Sequence, residues 1–458
     1  MHQYSEFLKR KQVSDTATGL QHVPALNPML FSHQADMVKW ALRRGRAALF
    51  ADCGLGKTPM ALEWANQQPH EAIIVAPLAV AHQFVREAQK FGVDVAYAKD
   101  QSQVTKRITI TNYERLENFH IEQFGAVALD ESSILKNSSG AYSTWMIDAF
   151  KNTPFRLCQS ATPAPNDVME LGTQAEFLGV MTRSEMLAMY FTHDGGDTSK
   201  WRVKGHAQQA FWEWMATWAV MIRKPSDLGY SDDGFVLPPL HMHEHQISVH
   251  QPTSGFLFAL EAQTLQERQQ ARRESITDRV RACSDLVNAS DKPFLVWCNL
   301  NEESAQLAAA IPDAVEVTGS DSDEKKEASI VGFLEGRYRV MVSKPKIAGL
   351  GLNLQHCADM AFVGLSDSYE QLYQSIRRCW RFGQTKPVNV HVITAETEGA
   401  VVSNIKRKER EAEETYNSMI EHMKDLNAAA LHGGTVRNKT IYNPTVPMFI
   451  PDFLKVAA

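Results

Sequence analysis

Residues 47–62, AALFADCGLGKTPMAL, constrain this chain more than any other segment. They form an apolar strand, a tight turn and the start of a helix, and glycines in Gly54-Leu55-Gly56-Lys57-Thr58 let successive backbone N–H groups point at one anion. Lys57 can reach the β- and γ-phosphates of ATP, Thr58 can ligate Mg²⁺, and the helix directs its positive N-terminal end at the same phosphates. The segment therefore predicts a Walker A phosphate loop, although Ala51 replaces its usual first glycine. A plain strand–turn–helix is the alternative.

Length and composition set broad limits. A chain of 458 residues predicts two or three domains, and 44% hydrophobic with 22% charged residues is typical of globular proteins. The formal net charge of -6 argues against a globally basic nucleic-acid coat but leaves room for a local basic groove. The six cysteines are scattered without a CxxC motif, which favours reduced thiols over disulfides or a zinc site.

No segment predicts membrane insertion. The N-terminus MHQYSEFLKRKQ lacks an apolar signal core, and the longest apolar run, around residues 72–81, is far shorter than a membrane span and contains Pro77. The expectation is a soluble, cytoplasmic protein with no membrane partner.

Short apolar segments alternate with helical ones in two series. Helices following residue 31 and at 80–90 separate the strands of the first series, which are predicted at 47–50, 72–76, 107–111, 126–129 and 155–159. A second series has strands predicted at 294–297, 314–317, 338–342, 360–363 and 388–393, with helices at 301–310, 324–335 and 369–380. Such alternation predicts parallel sheets covered on both faces, with ligands beyond the carboxyl ends of the strands.

The predicted fold is therefore α/β, with two parallel-sheet lobes. An α-rich insert and a helical connector, predicted as one long helix over residues 263–288, separate them. The predicted boundaries are an N-terminal tail at 1–27, a first, ATP-binding lobe at 28–180, the insert and connector at 181–290, a second lobe at 291–400, and a C-terminal helix and tail at 401–458.

Asp130 and Glu131 directly follow the strand AVAL. Asp130 can hold hydrated Mg²⁺, which leaves Glu131 to orient or deprotonate an attacking water. The alternative is an acidic helix N-terminus that complements the helix dipole. The phosphate loop upstream favours the catalytic interpretation.

Two later segments complete the candidate chemistry. Ser160-Ala161-Thr162-Pro163 follows a buried strand, where small hydroxyls can sense a γ-phosphate or simply cap a helix. Arg378 and Arg381 are three residues apart, which predicts one shared helix face. Guanidinium groups there can stabilise charge on a transferring phosphoryl group, whereas a solvated basic helix end is the alternative.

These residues, taken in order, resemble superfamily-two helicase-like ATPases of the Swi/Snf type over roughly residues 30–398. Phe31-Ser32-His33-Gln34 looks like the adenine-reading Q motif. The further resemblances are ADCGLGKT to motif I, IIVAPLAVAHQFVREAQKF to Ia, ITITNYERL to Ib, LDESSILKN to II, SATPAPNDVMELGTQAEFL to III, KIAGLGLNLQHCADMAFVG to V and RRCWRFGQTKPV to VI. VMIRKPSDLG and LPPL are similar to the segment between the two lobes of that family.

The resemblance implies that the two lobes are RecA-like, that ATP and Mg²⁺ bind in the cleft between them, and that the protein moves along DNA. It assigns catalysis to Lys57, Asp130, Glu131, Arg378 and Arg381, nucleotide binding to Gln34, Gly54, Gly56, Lys57, Thr58 and Gly351, and Mg²⁺ to Thr58 and Asp130. It places Pro77, Asn112, Gly349 and Asn353 in the nucleic-acid groove. Binding to duplex or branched DNA through its phosphates is expected to be salt-dependent and nearly independent of base sequence.

Three departures from the family pattern stand out. Ser133 ends motif II where many relatives have His, motif III reads SAT as it does in unwinding helicases, and Arg377 replaces an acidic residue.

The compact chain favours a bacterial or bacteriophage protein, with a possible protein partner in replication, recombination or repair. A strand-separating DNA or RNA helicase and a nucleotide-gated loading factor are the alternative functions.

Two other clusters favour a structural interpretation. His241, His243 and His245 would share one face of a strand, but no clear fourth ligand is nearby, so a metal site is disfavoured. Trp214 and Trp218 are four residues apart, which favours the core of a helical segment over base stacking.

Overall fold

The chain folds into two α/β lobes, each built on one parallel sheet, as the sequence predicts. The computed structural model describes residues 17–137, 140–165, 167–194, 197–248, 270, 272–348 and 353–432. Within these residues, no helix combines the length and apolar character needed to cross a membrane. All six cysteines are buried and free of disulfides.

The first lobe begins with a helix that the apolar spacing predicts and that ends at Gly45, whose φ of 77° favours glycine. Its elements in chain order are α1 (Ser32–Arg44), β1 (Arg46–Ala51), α2 (Lys57–Asn66), β2 (Ala72–Ala76), α3 (Leu78–Phe91), β3 (Val95–Tyr97), β4 (Ile108–Asn112), β5 (Ala126–Asp130), α4 (Ala141–Ala149), β6 (Phe155–Gln159), α5 (Leu171–Leu178), α6 (Arg183–Tyr190), β7 (Phe191–Asp194), β8 (Asp197–Val203), α7 (Gln208–Trp218) and β9 (Ala219–Ile222).

Strand order in the first sheet brings the candidate motifs together. The order is β3-β4-β2-β5-β6-β1-β9, and every pair is parallel. Because β5, β6 and β1 are adjacent, their carboxyl ends lie side by side. The phosphate loop, Asp130 and Ser160 therefore share one edge, as expected for a parallel α/β sheet.

The first sheet extends beyond the predicted lobe boundary at residue 180. Strand β9 pairs with β1, and residues of α6 and α7 are buried in the hydrophobic cluster on one face of the sheet. Trp214 and Trp218 are fully buried there, so the core interpretation of the tryptophans is confirmed. The described residues between 181 and 222 thus form part of the first lobe, because their apolar side chains cover its sheet.

The second lobe repeats the parallel arrangement. Its elements are β10 (Leu240–Ile247), α8 (Ile276–Asn288), β11 (Phe294–Trp297), α9 (Asn301–Ala310), β12 (Ala314–Val317), α10 (Asp323–Leu334), β13 (Val340–Ser343), α11 (Pro345–Ala348), β14 (Asp359–Val363), α12 (Tyr369–Ile376), β15 (Val388–Ala395) and α13 (Gly399–Leu431). Its strand order is β10-β15-β14-β11-β13-β12.

Two segments of the predicted insert and connector belong to this second lobe. Strand β10 pairs along its whole length with β15 at the sheet edge. Helix α8 covers the last 13 residues of the predicted long helix, and its Val280 and Val287 pack in the core of the second lobe. A turn at Ser275 directly precedes it, so the prediction of one continuous helix is wrong. Amphipathic packing therefore makes this helix a cover for the sheet. The histidines of β10 form no metal cluster: among the residues that the structure describes, no such group of three ligands occurs.

Helix α13 begins in the second lobe and packs against the first lobe along its C-terminal half. Met419 and Met423 are buried in the same hydrophobic cluster as the tryptophans of α7. Arg223, which follows β9, donates to Asn417 at 2.6 Å and lies over the Tyr416 ring at 5.1 Å. The 33-residue helix therefore joins the two lobes through an apolar contact with a polar border.

Replacing Met423 by Ala is expected to lower the free energy of unfolding by about 2–5 kcal/mol, because the truncation leaves a cavity in a tightly packed core. Urea denaturation followed by tryptophan fluorescence measures this, since the same cluster contains Trp214 and Trp218. Asp425, exposed two residues further along the helix, provides the control: Asp425→Ala is expected to change the stability by less than about 0.5 kcal/mol. Equal losses in the two variants would contradict the proposed packing of α13.

Candidate active site

A cavity of about 290 Å³ lies between the lobes, at the carboxyl edge of the first sheet. Its lining combines residues far apart in the chain. From the first lobe it includes Gln34, Gly54, Gly56, Lys57, Thr58, Asp130 and Glu131, and from the second Asn353, Arg378 and Arg381. The structure thus brings together most of the residues that the sequence analysis selects for nucleotide chemistry.

The phosphate loop connects β1 to the first turn of α2. Gly54 and Gly56 have φ values of 90° and 83°, which a side chain would strain. A Cβ at Gly56 would lie 2.2 Å from Gln34 Nε2, so this amide fills the space beside the loop. Gln34 Nε2 also donates to the Leu55 carbonyl at 3.0 Å. In this structure the Lys57 ammonium donates to the Ala51 carbonyl at 3.1 Å.

Asp130 and Glu131 end β5 as two adjacent, buried carboxyl groups. Burial, and then the neighbouring Glu131, raise the pKa of Asp130 to about 7, although Lys57 and Arg378 oppose the rise. Glu131 has a φ of 53°, an uncommon conformation for a residue other than glycine, and it accepts a hydrogen bond from Ser160 Oγ at 3.3 Å. The strained turn directs the second carboxylate toward the loop after β6.

The site suits Mg²⁺ bound with a nucleoside triphosphate. Thr58 and Asp130 line the same cavity, and glycines keep the loop that would hold phosphate oxygens free of side chains. Mg²⁺ usually takes one or two protein oxygens, substrate phosphates and water.

Arg378 and Arg381 come from the second lobe but do not share a helix face, so that prediction is wrong. Helix α12 ends at Ile376, and both arginines lie in the turns that follow. The reason is local: Arg378 Nε donates to the Gln374 carbonyl at 2.7 Å and occupies an acceptor of the last helical turn. Burial, and then Arg378, lower the pKa of Arg381 to about 10.

Motif III connects the two halves of the cavity. Thr162 N donates to Ser160 Oγ at 3.1 Å, and Gln374 Nε2 donates to Thr162 Oγ1 at 3.2 Å. Gln374 Oε1 in turn accepts from Arg378 Nη2 at 3.0 Å. A continuous series of hydrogen bonds thus joins the Glu131 carboxylate to an arginine of the other lobe.

The residues predicted to contact nucleic acid lie in different parts of the structure. Asn353 lines the inter-lobe cavity, and its Oδ1 is buried without a hydrogen-bond partner among the residues that the structure describes. Asn112 is buried inside the first lobe and bonded to Tyr97 and Glu114, so its amide is already engaged. Of the predicted nucleic-acid residues that the structure describes, Pro77 is the one that lines a second inter-lobe cavity, of about 230 Å³. Gly349 and Gly351 lie outside the described residues.

Sequence reasoning assigned no role at or near the cavity to two aromatic residues, Phe235 and Phe382, or to two charged residues, Glu370 and Arg377. Phe31, Phe235 and Phe382 cluster at the cavity, with ring centroids 4.8 to 5.8 Å apart. Glu370 bonds to Lys136 of the first lobe. Arg377 contacts the phosphate loop directly. Only Arg377 carried a sequence signal, since it departs from the pattern of motif VI.

Comparison with known protein families agrees with the lobes and the cavity between them. Residues 33–187 match the SNF2-related domain, and residues 278–383 match the helicase conserved C-terminal domain. The first match lies within the first lobe and the second match within the second lobe, so each lobe contains one of the two matched domains.

Similar proteins occur in vertebrates. The chain is 24% identical over 419 residues to "SWI/SNF-related matrix-associated actin-dependent regulator of chromatin subfamily A-like protein 1" of Xenopus tropicalis, covering 81% of this chain and 43% of that protein. It is 22% identical over 432 residues to "DNA annealing helicase and endonuclease ZRANB3" of Mus musculus, covering 83% and 40%. The chain thus spans less than half the length of these relatives.

Replacing Gly56 by Ala is expected to weaken ATP binding at least about tenfold, because the new Cβ would displace Gln34 and strain the loop. Isothermal titration calorimetry with ATP and Mg²⁺ measures this. Gly336 provides the control: its φ is 75°, and nothing lies within 4 Å of an added Cβ. Gly336→Ala is expected to lower stability by about 1–3 kcal/mol at unchanged affinity. Equal affinity in the two variants would show that the loop tolerates the methyl group.

Proposed function

We propose that this protein hydrolyses ATP in the inter-lobe cavity and uses the lobe movement to travel along duplex or branched DNA. The observation that carries the proposal is the composition of the cavity. Lys57, Asp130 and Glu131 from one lobe line it together with Arg378 and Arg381 from the other. A site divided between two lobes can be complete only when the lobes are closed.

Each of these side chains suits one part of phosphoryl transfer. Lys57 and the loop amides would hold the β- and γ-phosphates, and Glu131 would orient and deprotonate the attacking water. Mg²⁺, held by Asp130 and Thr58, would supply charge neutralisation at the phosphates. Arg378 and Arg381 would stabilise the negative charge that develops on the transferring group.

Hydrolysis would weaken the attraction between the lobes. The two arginines reach the site from the second lobe, so loss of the γ-phosphate removes the charge that attracts them. The bonds from Ser160 through Thr162 to Gln374 give a physical route from the carboxylate to the second lobe. Repeated closing and opening would move the lobes relative to each other along a bound strand.

The second inter-lobe cavity supports DNA as the track. It is lined by Pro77 and by three cationic residues, Arg86, Lys326 and Lys346. Arg86 pairs with Glu327 across the lobes at 3.4 Å, where both side chains are more than 40% exposed. Exposed pairs of this type contribute little stability, so a DNA phosphate could replace the carboxylate. The SNF2-type domains also favour DNA over RNA.

The source and the cellular context stay predictions. A bacterial or bacteriophage origin, a cytoplasmic location and a protein partner in DNA metabolism follow from the sequence expectation alone. Duplex translocation is favoured over strand separation by the SNF2-type domains, while the mouse relative is described as a DNA annealing helicase.

Replacing Lys57 by Ala or Glu131 by Gln is expected to reduce ATP turnover at least about 100-fold, because each change removes a group that acts on the phosphates or the water. Phosphate release with and without DNA measures the turnover. Glu131→Gln retains the shape of the side chain, so ATP binding is expected to persist in that variant while Lys57→Ala loses it. Turnover retained in both variants would contradict the assigned site.

ATP turnover is expected to rise with duplex DNA more than with single-stranded DNA or RNA. Triplex displacement is expected without unwinding of a forked duplex, because translocation does not require strand separation. Fork unwinding would support a strand-separating helicase instead. A rate of ATP turnover that does not change with duplex DNA, single-stranded DNA or RNA would support a loading factor.

A further inference from the structure

The second lobe contacts the phosphate loop at a point distinct from the two arginines discussed above. Asp52, which follows β1, is the centre of this contact. Its Oδ1 accepts from Tyr373 OH at 2.6 Å, and its Oδ2 accepts from Arg377 Nη2 at 2.7 Å. Both donors belong to the α12 region of the second lobe.

The same groups hold the first peptide units of the loop. Arg377 Nη2 also donates to the Cys53 carbonyl at 2.9 Å, and the Cys53 N–H donates to Asp52 Oδ1 at 2.6 Å. The next residue, Gly54, packs closely against the backbone of Phe382 in the second lobe. A Cβ added to Gly54 would lie only 2.8 Å from the Phe382 backbone nitrogen. Half of the phosphate loop is therefore positioned by the second lobe, whereas Gln34 positions the other half.

The ion pair between Arg377 and Asp52 is buried, so it fixes the orientation of the two side chains. The side chains of Arg377 and Asp52 are only 5% and 8% exposed. Burial, the largest single influence, would lower the pKa of Arg377, but Asp52, Tyr373 and Cys53 together more than offset it and leave the pKa raised. Removing two charges from water largely cancels their attraction, so such a pair contributes orientation more than net stability.

Aromatic rings restrict the arginine further. The Arg377 guanidinium lies 5.0 Å from the Trp380 ring centroid and 5.7 Å from that of Tyr373. These distances permit cation–π attraction and leave the planar group little freedom. Because Arg377 directly precedes Arg378, its orientation also constrains the turn that carries the catalytic arginines.

We propose that Asp52, Tyr373 and Arg377 form a positioning set that shapes the phosphate loop for ATP only when the lobes are closed. This inference rests on the proposed ATPase function and deepens it. Closure then raises nucleotide affinity through the loop itself, in addition to bringing Arg378 and Arg381 to the phosphates. Arg377 acts through the loop and does not need to touch the nucleotide.

A double-mutant cycle tests the set in the full chain. Arg377→Gln and Asp52→Asn are each expected to raise the KM for ATP and the Kd for ADP about tenfold, while kcat falls less than about threefold. The double variant is expected to match a single variant, because either change already breaks the pair. Arg377→Lys retains the charge but not the forked geometry, and it is expected to recover only part of the affinity.

Arg223 is the matched control. It joins the first lobe to α13 through Asn417 and Glu413, and it makes none of the described hydrogen bonds to the loop. Arg223→Gln is therefore expected to leave the KM and the Kd for ADP unchanged. Tyr373→Phe adds a milder test, because it removes only the hydroxyl bond to Asp52 and is expected to raise the KM about threefold.

The outcomes separate this inference from the proposed function. Unchanged nucleotide affinity in Arg377→Gln and Tyr373→Phe, or additive losses in the double variant, would overturn the positioning set alone. A loss of kcat at unchanged KM would do the same, since it would indicate direct catalysis by Arg377. A wild-type chain that binds neither ATP nor ADP would overturn the proposed function and this inference with it.

Discussion

The structure depends on contact between the two lobes at one short loop. Gln34 holds the second half of the phosphate loop by donating to Leu55, and Arg377 holds the first half through Asp52 and Cys53. Neither contact is strong alone, because both replace hydrogen bonds to water. Together they restrict a glycine-containing backbone that would otherwise sample many conformations, and this restriction makes an ordered anion site possible.

The rest of the fold keeps residues of both lobes close to the phosphate loop. Adjacent strands β5, β6 and β1 place the carboxylates, the motif III hydroxyls and the loop at one sheet edge. Helix α13 extends from the second lobe to the tryptophan-rich core of the first. The lobes are thus joined by a packed apolar contact at one side and by exchangeable polar bonds at the cavity. Such an arrangement allows the cavity to open without separation of the lobes.

Local sequence patterns predicted most helices and strands, but they predicted fewer of the contacts that individual side chains make. The apolar segments at 72–76 and 126–129 and the glycine after Arg44 specify strands and a helix end through nearby residues, and the structure confirms them. The Arg378 side chain shows the opposite case. It bonds to the Gln374 carbonyl and ends the helix, a competition that a three-residue spacing does not reveal. Asn353 likewise lies at the nucleotide cavity through chain folding alone.

The sequence by itself determined the two α/β lobes, the glycine-containing turn between β1 and α2, and the position of Asp130 and Glu131 at the end of a buried strand, because strand periodicity and glycine geometry are local properties. Only the tertiary structure decided which residues complete that loop. Arg377 lies more than 300 residues from Asp52 in the chain, yet the two side chains form a buried pair. Their contact arises from the folding of each lobe and the closure of the two, which no local pattern encodes. The loop that most constrains the sequence is therefore shaped, in its first half, by the other lobe.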